Sequence, residues 1–162
     1  MKDINDTELD PAWIAEFRGF FFGEGFLGIV SWGMHSGYPK LMVRAQITSR
    51  SDDEAILHDI RSHLGGIVYR ENAGRSSSGK RGELYQSNPY SVWRITKADD
   101  IRRLCNILEG GVLPSRKKAQ IAVIREFLDT ILPPGKRIDL VTRAKRHELH
   151  EKIKALHQYS DS

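Results

Sequence analysis

The positions of hydrophobic and polar residues predict that the chain opens with a helix. Aromatic and aliphatic side chains recur at helical spacing from residue 12 to residue 22 and occupy more than one face. Asp10-Pro11 before them is typical of a helix start, because it places a capping acid ahead of a proline in the first turn. Gly23-Glu24-Gly25 after them is typical of a helix end, where glycine is common.

Two strand-like segments follow at residues 26–32 and 40–48, with a turn rich in glycine between them. The second segment alternates strictly between hydrophobic and polar residues, which is typical of a strand with one buried face. Its hydrophobic face holds Leu41, Val43, Ala45 and Ile47, and its polar face holds Lys40, Met42, Arg44, Gln46 and Thr48. The pair is therefore predicted to form a hairpin with one long-armed polar face.

The rest of the chain repeats this order and then becomes helical. Ser51 or Asp52 is predicted to cap a helix that runs to about His63, and its inner face would hold Ile56, Leu57, Ile60 and Leu64. The further segments are a strand at 67–72, a long loop at 73–89, a strand at 90–96, and helices at 98–108, 115–132 and 140–157.

The element order α-β-β-α-β-β-α, followed by further helices, predicts an α+β fold. Two successive hairpins predict one antiparallel four-stranded sheet, with the hydrophobic helix faces packed on one side of it. We expect a single domain over residues 1–162, with its core at about 10–132 and a helical C-terminal extension at about 136–158. The other side of the sheet would carry the polar side chains.

Composition excludes several classes of protein. Of the 162 residues, 40% are hydrophobic and 28% are charged, which argues against general disorder. Cys105 is the single cysteine, so an intrachain disulfide and a cysteine-based zinc site are excluded, and we expect a buried thiol. No hydrophobic run approaches about 18 residues, and the first ten residues are acidic and polar. We therefore expect an intracellular protein with no membrane partner.

The net charge of +4 is unevenly distributed. Residues 1–25 are acidic, whereas residues 69–97 hold six basic side chains against Glu71 and Glu83, and residues 110–162 are also basic. Tyrosine, asparagine and glutamine are interleaved with the basic residues of the second hairpin, and such side chains contact phosphates and base edges. Composition alone leaves a nucleic-acid surface and a plain solvated surface both open.

The end of the first helix resembles a known signature. Residues 17–25 read Phe-Arg-Gly-Phe-Phe-Phe-Gly-Glu-Gly and are similar to the LAGLIDADG motif. The matching positions are Gly19, Phe20, Phe21, Gly23, Glu24 and Gly25. Two positions depart from the motif, because Phe22 stands where its first acid would be and Arg18 replaces a small residue. The first acid is not the main metal ligand in that family.

The surroundings of the motif extend the resemblance. The acid is followed at once by a hairpin, and the second helix ends in Leu64-Gly65-Gly66, as in many members of that family. Lys117-Lys118, with Gln120 two residues later, is similar to the family's Lys-Lys-x-Gln helix start. Over about residues 12–130 the chain therefore resembles the LAGLIDADG homing endonucleases of the single-motif type.

The resemblance implies a fold, an activity and an assembly. The fold is the αββαββα homing-endonuclease fold with a saddle-shaped sheet. The activity is metal-dependent hydrolysis of both strands of a long, near-palindromic DNA target by an intron-encoded enzyme. One motif per chain implies a homodimer, with Phe17, Gly19, Phe20 and Gly23 at the interface. Gly19 and Gly23 lie four residues apart on one helix face, where small residues permit close approach of a second helix.

The resemblance also implies roles for individual residues. Glu24 would bind the metal together with the backbone carbonyl of Gly23, and carboxylate oxygens suit hard divalent ions. The cofactor would be Mg²⁺ or Mn²⁺, with Ca²⁺ as a non-catalytic substitute. Lys117 is the candidate for the basic residue near the scissile phosphate, and Lys118 is the alternative.

Two further polar residues lie near the position of a water-orienting residue in relatives. Ser49 falls on that position by alignment, and Gln46 is the other candidate. The first hairpin would contact DNA through Val30, Trp32, Lys40, Met42, Arg44, Gln46 and Thr48. The second hairpin and its loop would contribute Arg70, Asn72, Tyr90, Arg94, Arg75, Lys80 and Arg81.

The predicted partners are double-stranded DNA and a second copy of the chain. A splicing maturase that binds intron RNA and a DNA-binding protein that does not cleave are the alternatives on the same fold, and no sequence feature supports the RNA partner. We expect residues 133–162 to buttress the fold or to contact the DNA backbone.

Overall fold

The computed structural model describes residues 8–35, 37–71, 75–76, 85–86 and 89–158, with the backbone alone at 51, 75–76 and 85–86. The helices and the four longer strands follow the order that the sequence predicts. In chain order they are α1 (Pro11–Glu24), β1 (Gly25–His35), β2 (Tyr38–Arg50), α2 (Glu54–Leu64), β3 (Ile67–Glu71), β4 (Arg75–Ser76), β5 (Tyr85–Gln86), β6 (Tyr90–Ile95), α3 (Ala98–Glu109), α4 (Ser115–Leu128) and α5 (Leu140–His157).

Four of the strands form one antiparallel sheet in the order β1-β2-β6-β3. In the β3–β6 pair, Ile67 lies opposite Arg94 and Glu71 lies opposite Tyr90. The predicted α+β architecture with a four-stranded antiparallel sheet is therefore confirmed. Strands β4 and β5 form a short antiparallel pair within the segment predicted as a loop.

The chain divides into two compact units that alternate along the sequence. The first comprises Met1–Gly25 and Gln46–Arg94, and the second comprises Phe26–Ala45 and Ile95–Ser162. Strand β2 passes from the second unit to the first between Ala45 and Gln46.

Trp93 of β6 is the centre of the first unit's core and is fully buried. Phe17 of α1 meets it edge to face, with ring centroids 6.3 Å apart, and Phe17 also stacks on Trp13 at 5.1 Å. The indole of Trp93 donates to the carbonyl of Gly65 at 2.9 Å, and the indole of Trp13 donates to Asp59 at 2.8 Å. Buried Trp93 and half-buried Trp13, whose indole N–H groups are both satisfied, thus join α1, α2 and β6.

Helices α3, α4 and α5 supply most of the second unit's core. Arg125 of α4 donates to Glu109 at 2.9 Å and to Asn106 at 2.8 Å, which ties α4 to α3. Burial raises the pKa of the Cys105 thiol to about 11, so the predicted buried cysteine is confirmed. The buried hydrophobic residues of the three helices are Ile101, Leu104, Leu108, Ile121, Val123, Ile124, Phe127, Leu128, Leu149 and Ile153.

Among the residues that the structure describes, none of the helices is both long and apolar enough to cross a bilayer.

Helix α2 differs from its prediction at its start. It begins at Glu54 after a 3₁₀ turn at Ser51–Asp53, and no side chain caps either element within the described part of the chain. The N-cap position of α2 is Asp53, so the predicted cap position at Ser51 or Asp52 is one or two residues too early. Ile56 is 39% exposed, because the buried face follows Leu57, Ile60 and Leu64 and leaves the neighbouring position to solvent.

Helix α4 ends at Leu128, earlier than predicted. The Thr130 hydroxyl and backbone N–H both donate to the Phe127 carbonyl, at 2.6 and 2.9 Å. Arg102 donates to the Leu128 carbonyl at 3.3 Å. These groups satisfy carbonyls that a further turn would have used, so the helix terminates without needing the prolines that follow.

Candidate hydrolytic site and nucleic-acid interface

Helix α1 ends at Glu24, and β1 begins at the next residue. Gly23 and Glu24 are both exposed. Gly25 is extended and donates its N–H to the Phe21 carbonyl, and a Cβ at Gly25 would lie 2.6 Å from that oxygen. A carboxylate therefore stands at the negative end of the helix dipole, with no basic side chain in the last turn. Both features favour a cation.

One face of α1 is exposed and carries mostly small residues. A Cβ added at Gly19 or Gly23 would meet nothing within 4 Å. A second helix could therefore approach this face closely. The exposed residues of the face are Ala12, Ala15, Glu16, Gly19 and Gly23.

Phe17 does not lie on that exposed face. It is 4% exposed and packs on Trp13, Phe21 and Trp93 inside its own unit. Its placement at a dimer interface is therefore wrong, because the ring already belongs to the core of one chain. Phe20 is half-buried at the border of the exposed face.

The polar face of the first unit's strands carries an ordered cluster. Arg94 of β6 donates to the Gln46 side-chain oxygen of β2 through Nη2 at 3.2 Å and Nε at 3.3 Å. The Arg94 guanidinium also lies 5.0 Å from the centre of the Tyr69 ring. These contacts hold the arginine and the amide in fixed directions, which is the pre-organisation that base-edge contacts need.

The alternation predicted for β2 is observed. Val43, Ala45 and Ile47 are buried, while Gln46 is half-buried and Thr48 is exposed. Ser49 follows Thr48 and therefore falls on the same side as the buried residues, opposite to Gln46. The two candidate water-orienting residues thus point to opposite faces of one strand.

The remaining polar-face candidates of the first hairpin belong to the second unit. Trp32 is 58% exposed, and the Lys40 ammonium lies 4.6 Å from the centre of its ring. The half-buried candidates are Val30, Met42 and Arg44.

Arg70 lies on the side of the sheet opposite to Arg94. Its register partner is Ser91, which is fully buried, and both side chains donate to Glu54 of α2, at 2.8 Å from Arg70 and 3.0 Å from Ser91. The prediction that Arg70 shares the polar face with Tyr90 and Arg94 is therefore wrong. Hydrogen bonds from Arg70, His58 and Ser91 lower the pKa of Glu54 to about 2.

The register explains why the sequence did not show this. Tyr69, which contacts Arg94, faces the polar side together with Ile67 and Glu71, yet it is not among the predicted contacts. Residues 67–71 lack a clear alternation of hydrophobic and polar types, so the face of each residue follows only from its pairing with β6.

The start of α4 is basic. Its first turn contains no acid, and its N-cap residue, Pro114, provides no side-chain cap. Lys117 is half-buried and Lys118 is exposed. Gln120 is buried and donates to the Leu156 carbonyl of α5 at 3.3 Å.

The end of α5 lies close to the start of α4. Burial lowers the pKa of His157, and the nearby charge of Lys117 acts in the same direction. The His157 ring contacts Phe26 at 5.5 Å between ring centres. The C-terminal helix thus contacts α4 through Gln120 and β1 through Phe26.

The described residues hold no metal site made of protein side chains alone. Within the described ranges, no group of three or more His, Cys, Asp or Glu residues could hold an ion. Glu24 and the Gly23 carbonyl provide hard oxygen donors at an exposed helix end, which fits a divalent ion whose other ligands come from substrate and water.

Solved structures show which fold this is. No protein-family model and no curated protein matches the chain. The homing endonuclease I-CvuI in complex with the I-CreI target has a TM-score of 0.67 at 17% identity, covering 93% of this chain and 85% of that chain. The LAGLIDADG homing endonuclease I-GzeII in complex with its DNA target has a TM-score of 0.61 at 17% identity, covering 91% and 44%.

The chain has the LAGLIDADG homing-endonuclease fold. The archaeal intron-encoded homing endonuclease I-Vdi141I, complexed with DNA, is also similar, with a TM-score of 0.62 at 17% identity. The similarity covers 93% of this chain and 89% of that chain. The similarity therefore covers most of the I-CvuI and I-Vdi141I chains, but less than half of the I-GzeII chain.

Four predicted DNA contacts of the second hairpin and its loop have side chains outside the described residues. Asn72, Lys80 and Arg81 lie outside the described residues, and Arg75 is described by its backbone alone. Tyr90 is 36% exposed at the start of β6.

Proposed function

We propose that the chain is a site-specific DNA endonuclease that requires a divalent metal and acts as a homodimer within the cell. The observation that carries the proposal is Glu24, the acid of the motif, which stands exposed at the end of α1 in a homing-endonuclease fold. Similar solved structures with this fold are complexes with DNA, which supports a DNA partner here.

Mg²⁺ or Mn²⁺ is the proposed cofactor, and the solved I-CvuI complexes were prepared with Mg or Ca. A bound divalent ion would activate water and neutralise charge at the leaving oxygen. Glu24 and the Gly23 carbonyl would hold it, since the negative end of α1 favours positive charge. Lys117 would stabilise the developing charge on the phosphate from the uncapped start of α4.

The polar side chains of β1, β2, β3 and β6 would contact the target. The Arg94–Gln46–Tyr69 cluster would read base edges, because a fixed arginine and amide can distinguish bases in the major groove. Lys40 and the basic loop residues would contact phosphates and so fix position and orientation.

Two copies would be needed to cut two strands, because one chain supplies one Glu24. The exposed small-residue face of α1 supports contact between two such helices. We propose that the whole of residues 1–162 acts as one half of this assembly. The match to about half of the I-GzeII chain is consistent with a doubled unit.

Cleavage of selected DNA tests the proposal. Duplexes that bind the wild-type protein are recovered from a randomised library and incubated with protein and Mg²⁺. We expect wild type to cut both strands, and Glu24→Gln to bind the same duplex with cleavage reduced by at least about 1000-fold.

Glu148→Gln is the matched control, because Glu148 is an exposed acid on α5, away from the exposed face of α1, and its substitution loses the same charge. It should cleave like wild type. Cleavage that survives Glu24→Gln would refute the metal assignment. Binding without cleavage by wild type would identify a DNA-binding protein that does not cut.

A further inference from the structure

A cavity of about 610 Å³ lies between the tip of the first hairpin and the start of α5, wholly within the second unit. The other wall contains Ile138 and the first two turns of α5. The hairpin contributes Trp32, His35, Tyr38, Pro39, Lys40 and Leu41. Cavities of about 300–1,000 Å³ are the size that small ligands occupy. Trp32 and Lys40 on its wall are already proposed to contact the target, but the cavity itself has no role in the function proposed above.

The cavity walls are mainly aromatic and aliphatic. Trp32 and Tyr38 contribute rings, and Leu41, Ile138 and Leu140 contribute aliphatic surface. Trp32 is 58% exposed and Leu140 is 73% exposed, so hydrophobic surface is left in contact with water. Contiguous apolar surface of this kind often marks a binding site.

The polar groups on the walls are basic. His35, Lys40, Arg143, Arg146 and His147 line the cavity, and the described lining includes no Asp or Glu. Burial lowers the pKa of Arg146, which donates to Thr130 at 2.7 and 2.9 Å. The cavity therefore favours an anion.

Lys40 and Arg143 present their charges beside the two rings. The Lys40 ammonium lies 4.6 Å from the Trp32 ring centre, and the Arg143 guanidinium lies 4.3 Å from the Tyr38 ring centre. Neither cation forms an ion pair with a carboxylate among the described residues. Asp139, which precedes α5, instead accepts the Thr142 backbone N–H at 2.7 Å.

We propose that this cavity binds one unpaired nucleotide, with its base against Trp32 or Tyr38 and its phosphate beside Lys40 and Arg143. A flat apolar base and an adjacent anion match the two properties of the walls, and base stacking on aromatic rings does not depend on sequence. The inference rests on the proposed DNA function, because it assigns the cavity to a nucleotide that is not paired in the duplex.

Fluorescent nucleotides test the inference on the full chain without target DNA. We expect etheno-AMP to bind saturably and to change anisotropy, and etheno-adenosine, which lacks the phosphate, to bind at least tenfold more weakly. Lys40→Glu and Arg143→Glu should each weaken etheno-AMP binding at least tenfold. Ala144→Trp, which fills the cavity from an exposed position, should abolish it.

Lys152→Glu is the matched control, since Lys152 is exposed on α5 outside the cavity and its substitution changes the charge equally. It should leave etheno-AMP binding unchanged. Equal loss with Lys152→Glu, or equal binding of etheno-adenosine, would refute a phosphate site. Binding of dodecanoate but not of etheno-AMP would identify a pocket for an aliphatic anion and overturn the inference.

Failure of this inference is distinct from failure of the proposed function. Target cleavage that depends on Glu24, together with no etheno-AMP binding, would refute the nucleotide pocket and leave the endonuclease proposal standing. Nucleotide binding by a protein that cuts no selected duplex would refute the endonuclease proposal and support the nucleotide pocket.

Discussion

Arg70 and Arg94 show how single residues on paired strands acquire different roles. Both are arginines in the second hairpin, and composition treats them alike. Arg94 contacts Gln46 and Tyr69 on the polar side, whereas Arg70 joins Glu54 and Ser91 on the other side. The side of the sheet on which an arginine lies therefore decides whether it is available to a ligand or committed to the fold.

Alanine substitution of these two arginines should separate binding from stability. Arg94→Ala should weaken binding of the selected duplex by about 1–3 kcal/mol and relax specificity at one position. Arg70→Ala should leave affinity near wild type and lower the urea midpoint, because it removes the main partner of Glu54. Duplex titration and urea denaturation of both variants check this. An equal loss of affinity in the two variants would contradict the assignment of faces.

Stability should depend on pH through Glu54. Because its folded pKa is lowered to about 2, the ionised form is favoured by folding. Its contribution is then complete above the unfolded pKa of about 4.3 and is lost as pH falls toward 2. Glu54→Gln should lower the urea midpoint at pH 7, and the difference from wild type should shrink between pH 4.5 and pH 2.5.

The control for this pH series is Glu148→Gln, which replaces an exposed acid of α5. Its midpoint should follow wild type across the same pH range. A constant difference between Glu54→Gln and wild type from pH 7 to pH 2.5 would show that the carboxylate charge is not what stabilises the fold.

At the scale of elements, predictability depended on the strength of each local pattern. Strand β2 alternates so regularly that its buried residues could be named in advance. Strand β3 does not alternate, so its faces required the register with β6. The end of α4 depends on Thr130 and on Arg102, which lies far away in the sequence, and no local pattern indicates such a contact.

The sequence predicts helix α5 at residues 140–157, but its charged pattern does not indicate which of its residues belong to the core. Leu149 and Ile153 are buried, whereas Leu140 on the same helix is 73% exposed. Leu149→Ala should cost about 3 kcal/mol of unfolding free energy, and Leu140→Ala less than about 0.5 kcal/mol. Urea denaturation compares the two. Similar costs would mean that α5 does not belong to the core.

For the whole molecule, the helix motif was the strongest indicator of the fold. The homing-endonuclease fold follows from three local features of the sequence, with no tertiary contact needed. They are the motif, the hairpin after it and the Lys-Lys-x-Gln segment. The distribution of aromatic residues within α1 was harder to predict. Phe17 is core and Gly19 is surface, although both lie in an uninterrupted motif.

Assembly can be tested at Gly19, where a larger side chain has room in one chain. Gly19→Leu should raise the intrinsic stability of α1 by about 0.8 kcal/mol, yet it should block close approach of a second α1. Sedimentation should show twice 18.5 kDa for wild type and 18.5 kDa for the variant. Ala155→Leu, on an exposed position of α5, should remain dimeric. A dimeric Gly19→Leu would place the interface elsewhere.

The alternation of the two units along the chain has a consequence for dividing the protein into fragments. No single cut leaves both units whole, because the second unit begins at Phe26 before the first is complete at Arg94. A cut after Arg94 keeps every segment of the first unit in one fragment and splits only the second. Two such fragments would have to reassociate to rebuild the second unit, and the cut lies inside β6, one residue before its buried end at Ile95.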